Sequence, residues 1–270
     1  MAGKIDNYQD KFSGFFRTPH LFNSKILGLN PFSKTLKHQF IFNRVITANL
    51  RLGQLVEQFV FEELKQFESI KILSENLQII NEDKLTIGEL DTLILDKQKP
   101  IHIEIQYKFY LFDKTIGQTE IEHCIGPNRK DTLIQKLKKL KEKQLPLLYH
   151  KTSKTHLEQL NLNTKNIDQQ IYFKAQIFMP YGENIQLKTL NNDCIYGFYF
   201  NFKKLKTFKD SKFFIPKKLD WLVDIHTNVN WQNYEQIQPQ LEIFYSEKYA
   251  PMLWLKSTNG EIKKCFMVWW

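Results

Sequence analysis

The sequence predicts an α/β protein: a central mixed β-sheet flanked by helices, with an α+β extension at its C-terminal end. Three observations lead there. Two strand-like runs between Thr86 and Leu111 carry acidic residues on one face, an apolar stripe of helical period precedes them, and a lysine-studded helical stretch follows. Beyond these lie further aromatic, strand-like runs.

Ile101 to Phe109 alternates strictly, which marks a strand with two unlike faces. One face is Ile101, Ile103, Ile105, Tyr107 and Phe109; the other is His102, Glu104, Gln106 and Lys108. Gly88 to Leu95 is also strand-like, with Glu89 and Asp91 on one face ahead of Leu93 and Leu95. Asp96 to Pro100 fits the turn of a hairpin joining the two. In register, such strands bring Asp91 and Glu104 together, and clustered carboxylates are costly unless a cation sits between them. The pattern therefore admits two readings. One is a divalent-metal site; the other is a solvated hairpin with its charges outward and its isoleucines inward.

Upstream, residues 1–42 are aromatic and turn-rich and are expected to pack on the body as a helical or irregular segment. From Asn43 to about Phe67 the apolar spacing predicts one helix, with Val45, Ile46, Leu52, Leu55, Val56, Phe59, Val60, Leu64 and Phe67 in a wide stripe. Gly53 in a helix costs roughly 1 kcal/mol relative to alanine, which suggests a close approach of helix and sheet there. Glu57 lies at the edge of the stripe, with Glu62 and Glu63 as rivals; an isolated glutamate on a helix is ordinarily solvated. Ile70 to Ile80 reads as a strand or strand pair, followed by an Asn81–Lys84 turn. Asn128 is a candidate N-cap, answered by Asp131, for a helix carrying Leu133, Ile134, Leu137, Leu140 and Leu145 on one face, closed at Pro146. Gln135, Lys136, Lys138, Lys139 and Lys143 lie around the rest of it, either simply solvated or facing phosphate. His150 to Gln170 reads as helix and loop, and Ile171–Pro180 and Ile195–Phe202 as strands. In the C-terminal third, lysines interleave with Trp221, Trp231, Trp254, Trp269 and Trp270, which read as core or as base-stacking residues.

Composition narrows the classes. A hydrophobic content of 42% over 270 residues supports a full core. The net charge of +9 suits a polyanionic partner, although the basic count is nearly all lysine, the arginines being Arg17, Arg44, Arg51 and Arg129. No long uncharged run suits a membrane helix and the first residues lack the apolar core of a signal peptide, so a cytoplasmic protein without a membrane partner is expected. Cys124, Cys194 and Cys265 are widely spaced and odd in number, which argues for free thiols rather than a disulfide framework or zinc site. With 10 glycines and no Gly-rich run, a phosphate-cradling loop is not indicated.

The order of parts carries a resemblance. A helix with a glutamate, then Gly88-Glu-Leu-Asp91 on a strand, then Glu104 and Lys108 on the next, then a basic amphipathic helix, is similar to the PD-(D/E)XK (restriction-endonuclease-like) nuclease superfamily. More closely, Arg51-Leu-Gly53 with Glu57, Asn76-Leu-Gln78, Gly88–Asp91, Glu104 with Lys108–Leu111, Gly126-Pro-Asn128, Gln144-Leu145 and the residues from Pro251 resemble the bacterial domain-of-unknown-function 1853 family. The superfamily resemblance implies a restriction-endonuclease-like core over residues 43–180, an extension over 181–270 within the same globular unit, and metal-dependent phosphodiester hydrolysis of DNA or RNA. Asp91 and Glu104 would bind Mg²⁺, or Mn²⁺, since every available ligand is oxygen. The resemblance adds the Ile105 carbonyl as a ligand, Glu57 and Glu89 as supporting or second-metal groups, and Lys108 as the residue that orients the water. Lys136, Lys139, Lys143 and Arg129 are the candidate nucleic-acid contacts.

One residue departs from the pattern. The superfamily places lysine two residues after the glutamate, where this chain has Gln106. Lys108 shares that face but lies roughly 6.6 Å further along the strand. A nuclease fold retained as a nucleic-acid-binding or protein-interaction module is therefore the standing alternative.

Overall fold

A computed structural model describes residues 8–47 and 49–270. The part of the N-terminal segment within 1–7, including most of the stretch read for a signal peptide, and the helical expectation at Ala48 lie outside the described residues. Among the described residues, nine strands form a mixed sheet in the order β1-β2-β3-β5-β6-β9-β8-β7, with β4 paired to β3. They are β1 (Ile70–Ile80), β2 (Thr86–Asp96), β3 (Lys99–Phe112), β4 (Cys124–Ile125), β5 (Asp168–Pro180), β6 (Ile195–Asn201), β7 (Lys212–Phe214), β8 (Met252–Lys256) and β9 (Ile262–Val268). The α/β class with a mixed sheet and flanking helices is as the sequence predicts. Contacts divide the chain into two compact units, each discontinuous in sequence.

The first unit comprises residues 20–107 and 135–174. Its helix α2 (Leu52–Lys65) buries Leu55, Val56, Phe59, Val60, Phe61 and Leu64. It begins nine residues later than the apolar pattern suggested. Residues 43–47 and 49–51 are not helical, Val45 is exposed, and Arg44 instead forms a two-pronged ion pair with Glu75 of β1. Gln54 caps the new start by accepting the Arg51 N–H at 3.0 Å. Gly53 sits in this exposed first turn, where an added Cβ would meet nothing within 4 Å, so the expected close approach is not made. β1 and β2 pair antiparallel with a bulge at Leu73, and β2 turns into β3 through Lys97 and Gln98, both with positive φ, as a tight two-residue hairpin demands. Leu73, Leu77, Ile79, Leu90 and Leu93 of this meander pack against Leu147, Leu148 and Leu157 and against Ile167. Leu147 and Leu148 lie in a 3₁₀ turn, Leu145–Tyr149, and Leu157 in α5 (Lys151–Gln159).

The lysine-bearing helix is shorter than predicted. α4 (Leu133–Lys139) runs into a π turn, Leu140–Gln144, and then the 3₁₀ turn, so Pro146 sits inside continuing helical structure rather than closing it. π turns widen the helix by one residue and re-aim its side chains, and this one delivers Gln144. Asn128 is not the N-cap: its side chain accepts the Ala250 N–H at 2.7 Å, and Asp131 binds Lys108.

The second unit comprises residues up to Pro19, 108–134 and 175–270. It contains α1 (Tyr8–Arg17), α3 (Glu120–His123) and α6 (Tyr234–Ser246). β5, β6 and β9 run parallel there, and β8 and β9 form a hairpin closed by Gly260 at φ +86°. Gly197 lets β6 and β9 close up, since a Cβ there would lie 2.0 Å from the Lys264 carbonyl oxygen. Phe200, Phe213, Leu241, Leu253 and Met267 anchor its core. Trp221 and Trp254 are buried, which bears out the core reading of these two. Cys124, Cys194 and Cys265 are buried free thiols. Among the described residues, no helix is long and apolar enough to cross a membrane.

Candidate metal centre

The charged face of β3 is not solvated. His102 and Glu104 are fully buried, and Asp91 and Gln106 are buried too, which overturns the reading of an outward-facing hairpin. The isoleucine face, with Ile101, Ile103 and Ile105, is buried as well. β3 is thus a central strand covered on both sides.

The β2–β3 ladder supplies the geometry. Its register includes Thr92↔Ile103, which places Asp91 across from Glu104 at the point where regular pairing stops. There the Asp91 side chain replaces the missing backbone partner: Oδ2 accepts the Ile105 N–H at 2.7 Å. Ile105, expected to act through its carbonyl, is seen here as the donor that anchors Asp91.

A second pair of carboxylates is held by one amide. Asn76 donates through Nδ2 to Glu57 Oε2 at 2.8 Å and to Glu89 Oε1 at 2.9 Å. It adopts φ +49°, a conformation that asparagine tolerates better than most residues, between the paired Glu75 and Leu77 of β1. Of the helix glutamates, Glu57 is the one that joins the cluster. Glu62 pairs with Arg44 and Lys65, and Glu63 accepts from the Tyr172 hydroxyl beside Lys174.

Both oxygens of Glu104 are held. Oε1 lies 3.2 Å from His102 Nε2, and Oε2 accepts from Gln144 Nε2 at 2.6 Å. Lys136 donates in turn to Gln144 Oε1 at 3.0 Å. Burial, with repulsion from Glu104 and Glu89, pushes the Asp91 carboxyl up to about 7 against the pull of the Ile105 N–H. Burial and the Glu89 charge raise Glu104 to about 7, opposed by the positive charges of Lys136 and Lys139. Glu57 reaches about 7 for the same reasons, burial first, with Asn76 acting in the other direction. Burial also pushes His102 down to about 4, which keeps its ring neutral.

The candidate phosphate contacts are divided between the two units. Lys136 and Lys139 are within electrostatic reach of Glu104, while Lys143 is exposed on the π turn. Arg129 belongs to the second unit, where it pairs with Asp113 at 2.8 Å and lies over the Trp270 ring. Lys108, also of that unit, donates to Asp131 Oδ2 at 2.6 Å.

A family profile described as a domain of unknown function, DUF1853, matches residues 30–268. The chain belongs to this family. Among curated proteins and among solved structures, none matches it. The matched span of this DUF1853 protein takes in every residue of the cluster.

The acidic side chains gathered here offer only oxygen donors. Four carboxylates at one place, three of them pushed up to about 7, favour either shared protons or a positive ion. Oxygen ligands of this kind match Mg²⁺ or Mn²⁺ rather than softer metals. Among the described residues, no group of three or more His, Cys, Asp or Glu side chains is placed so that it could hold a metal ion. Amides of Asn76 and Gln144 interleave the carboxylates instead. The sequence placed Asp91 and Glu104 together but not the neutral groups that hold them. Of these, His102 was visible only as the residue two before Glu104 on the same face; nothing in the local pattern pointed to Gln169, whose side-chain nitrogen lies 3.1 Å from His102 Nδ1.

Proposed function

We propose that this protein is a divalent-metal-dependent nuclease acting on DNA or RNA. The observation that carries the reading is the buried Asp91–Glu104 pair at the end of the β2–β3 ladder, both acids raised to about 7 by burial first, Asp91 also by Glu104 and Glu89, and Glu104 also by Glu89. Asp91 and Glu104 would hold the ion, with Glu57 and Glu89 alongside. When bound, such an ion polarises a phosphoryl oxygen and lowers the pKa of a bound water. The chain's own residues supply the rest. The Ile105 N–H and the Gln144 amide orient the two carboxylates, and Asn76 keeps Glu57 and Glu89 aimed together. Lys136 and Lys139 offer positive charge beside Glu104, where a phosphate backbone would pass.

A second reading has its own support. Gln106 stands where the superfamily has lysine, and the Lys108 ammonium is engaged by Asp131. A binding module that has lost cleavage would retain nucleic acid without metal. Incubation with panels of single- and double-stranded DNA and RNA, with Mg²⁺, Mn²⁺ or EDTA, separates the two. Metal-dependent cleavage supports the nuclease; salt-dependent retention unaffected by EDTA, with no cleavage, supports the module. In either case, Lys136→Ala and Lys139→Ala are each expected to flatten the slope of log K against log[salt] by about 0.7 to 0.9. Unchanged slopes in a fluorescence-anisotropy titration would remove these lysines from the interface.

A further inference from the structure

The protonation of the His102 ring is set by a backbone carbonyl. The side-chain nitrogen of Gln169 lies 2.7 Å from the Leu145 carbonyl oxygen, so that end of the side chain is the NH₂ group and not its oxygen. The same nitrogen lies 3.1 Å from His102 Nδ1. With an amide donor facing it, Nδ1 is an acceptor and carries no proton. The ring proton therefore sits on Nε2, which faces Glu104 Oε1 at 3.2 Å. Both side chains have 0% exposure, so water does not compete for this contact. Gln144 donates to the other oxygen of Glu104 and is itself fixed by Lys136. The result is a directed chain, Leu145 carbonyl to Gln169 to His102 to Glu104, meeting a second from Lys136 through Gln144.

We infer that His102 is a positioning residue: held as its Nε2–H tautomer by Gln169, it fixes Glu104 in one orientation with an uncharged donor and leaves the carboxylate's charge to be met by a cation. An imidazolium in the same place would orient Glu104 but also neutralise it. Period-two alternation makes the arrangement inexpensive in chain geometry, because residues 102 and 104 emerge on the same face of β3. Outer partners of this kind commonly set ligand orientation and are worth about 10- to 100-fold in metal affinity. The purpose assigned to the fixed carboxylate rests on the nuclease reading, whereas the hydrogen-bond chain does not.

The test uses full-length protein. Long-range ¹⁵N–¹H spectra of the metal-free wild type at pH 7 are expected to show His102 as the Nε2–H tautomer; an Nδ1–H or doubly protonated ring overturns the inference. Gln169→Leu removes the donor to Nδ1 and is expected to produce a tautomer mixture, while an unchanged pure tautomer contradicts the lock. Crystals of metal-free His102→Gln, whose amide reaches the position of Nε2, should keep Glu104 on Gln144. Those of His102→Leu should show it displaced or spread over rotamers, and an undisturbed Glu104 in that variant also overturns the inference. By calorimetry with Mn²⁺ alone, His102→Gln should bind like wild type and His102→Leu about 10- to 100-fold more weakly. Equal affinities in the two variants count against positioning. A wild type that binds no Mn²⁺ sinks the nuclease reading, and the spectra and crystals then decide the inference by themselves.

Discussion

Asp91→Asn is expected to make the metal-free protein more stable at pH 8 while abolishing its binding of divalent cations. The folded-state pKa of Asp91 is raised from 3.8 to about 7, chiefly by burial. A group raised in this way favours the folded state while it is protonated, so its contribution is fully present below about pH 4 and is lost as pH rises through about 7. At pH 8 the ionised carboxylate is held against burial and against Glu104 and Glu89. A shift of this size corresponds to about 4 kcal/mol, but it is shared with Glu104 and Glu57, so removing one member returns less than the sum. Asparagine keeps an oxygen to accept the Ile105 N–H and removes the charge. A gain of ~2 kcal/mol at pH 8, shrinking as the pH falls and vanishing at about pH 3, is the expected result. Denaturant titrations at both pH values, with Mn²⁺ calorimetry beside them, check it. Destabilisation at pH 8, or Mn²⁺ binding like wild type, would show that the carboxylates are not a repulsive cluster awaiting a cation. Stability given up at a site and recovered when its charge is removed is the trade expected of a functional centre.

Glu104→Ala is expected to cost about 1,000-fold or more in metal-dependent cleavage, the equivalent of about 4 kcal/mol of transition-state stabilisation. The substitution removes a cation ligand and leaves two donors, His102 Nε2–H and the Gln144 amide, without their acceptor. Each unmet buried donor costs about 1–3 kcal/mol, offset in part at pH 8 by relief of repulsion. Glutamine is a poor substitute at this position. One of its two ends would present an NH₂ group to a donor, so Glu104→Gln is expected to disturb the site rather than merely discharge it. Single-turnover cleavage, with circular dichroism as the folding control, is the measurement. A folded Glu104→Ala that still cleaves at the wild-type rate would exclude Glu104 from the chemistry.

Much of this site was legible in one dimension. The strict alternation from Ile101 to Phe109, the hairpin turn before it and the Gly88–Asp91 run located β2 and β3 and paired Asp91 with Glu104. Helix α2 was visible as a stripe, but its start was not. Val45 and Ile46 fit the period, yet Arg44 is drawn to Glu75, a partner thirty-one residues away that the local spacing cannot register. The same limit explains Asn128 and Pro146, both plausible helix punctuation in the sequence. One is used to hold the Ala250 N–H, and the other is absorbed into a π-to-3₁₀ transition.

What the sequence determined by itself was the class of the fold, the strands that carry the acids and the face each acid occupies, because these follow from periodicity within a few residues. Only the tertiary structure decided that this face is buried and that its carboxylates are raised to about 7. It also decided which neutral groups hold them: Asn76 between Glu57 and Glu89, Gln144 on Glu104 from forty residues away, and Gln169 on His102 from sixty-seven. A local pattern states which way a side chain points. What covers that side chain, and therefore whether its charge is met by water, by an amide or by a cation, is supplied by segments distant in the chain.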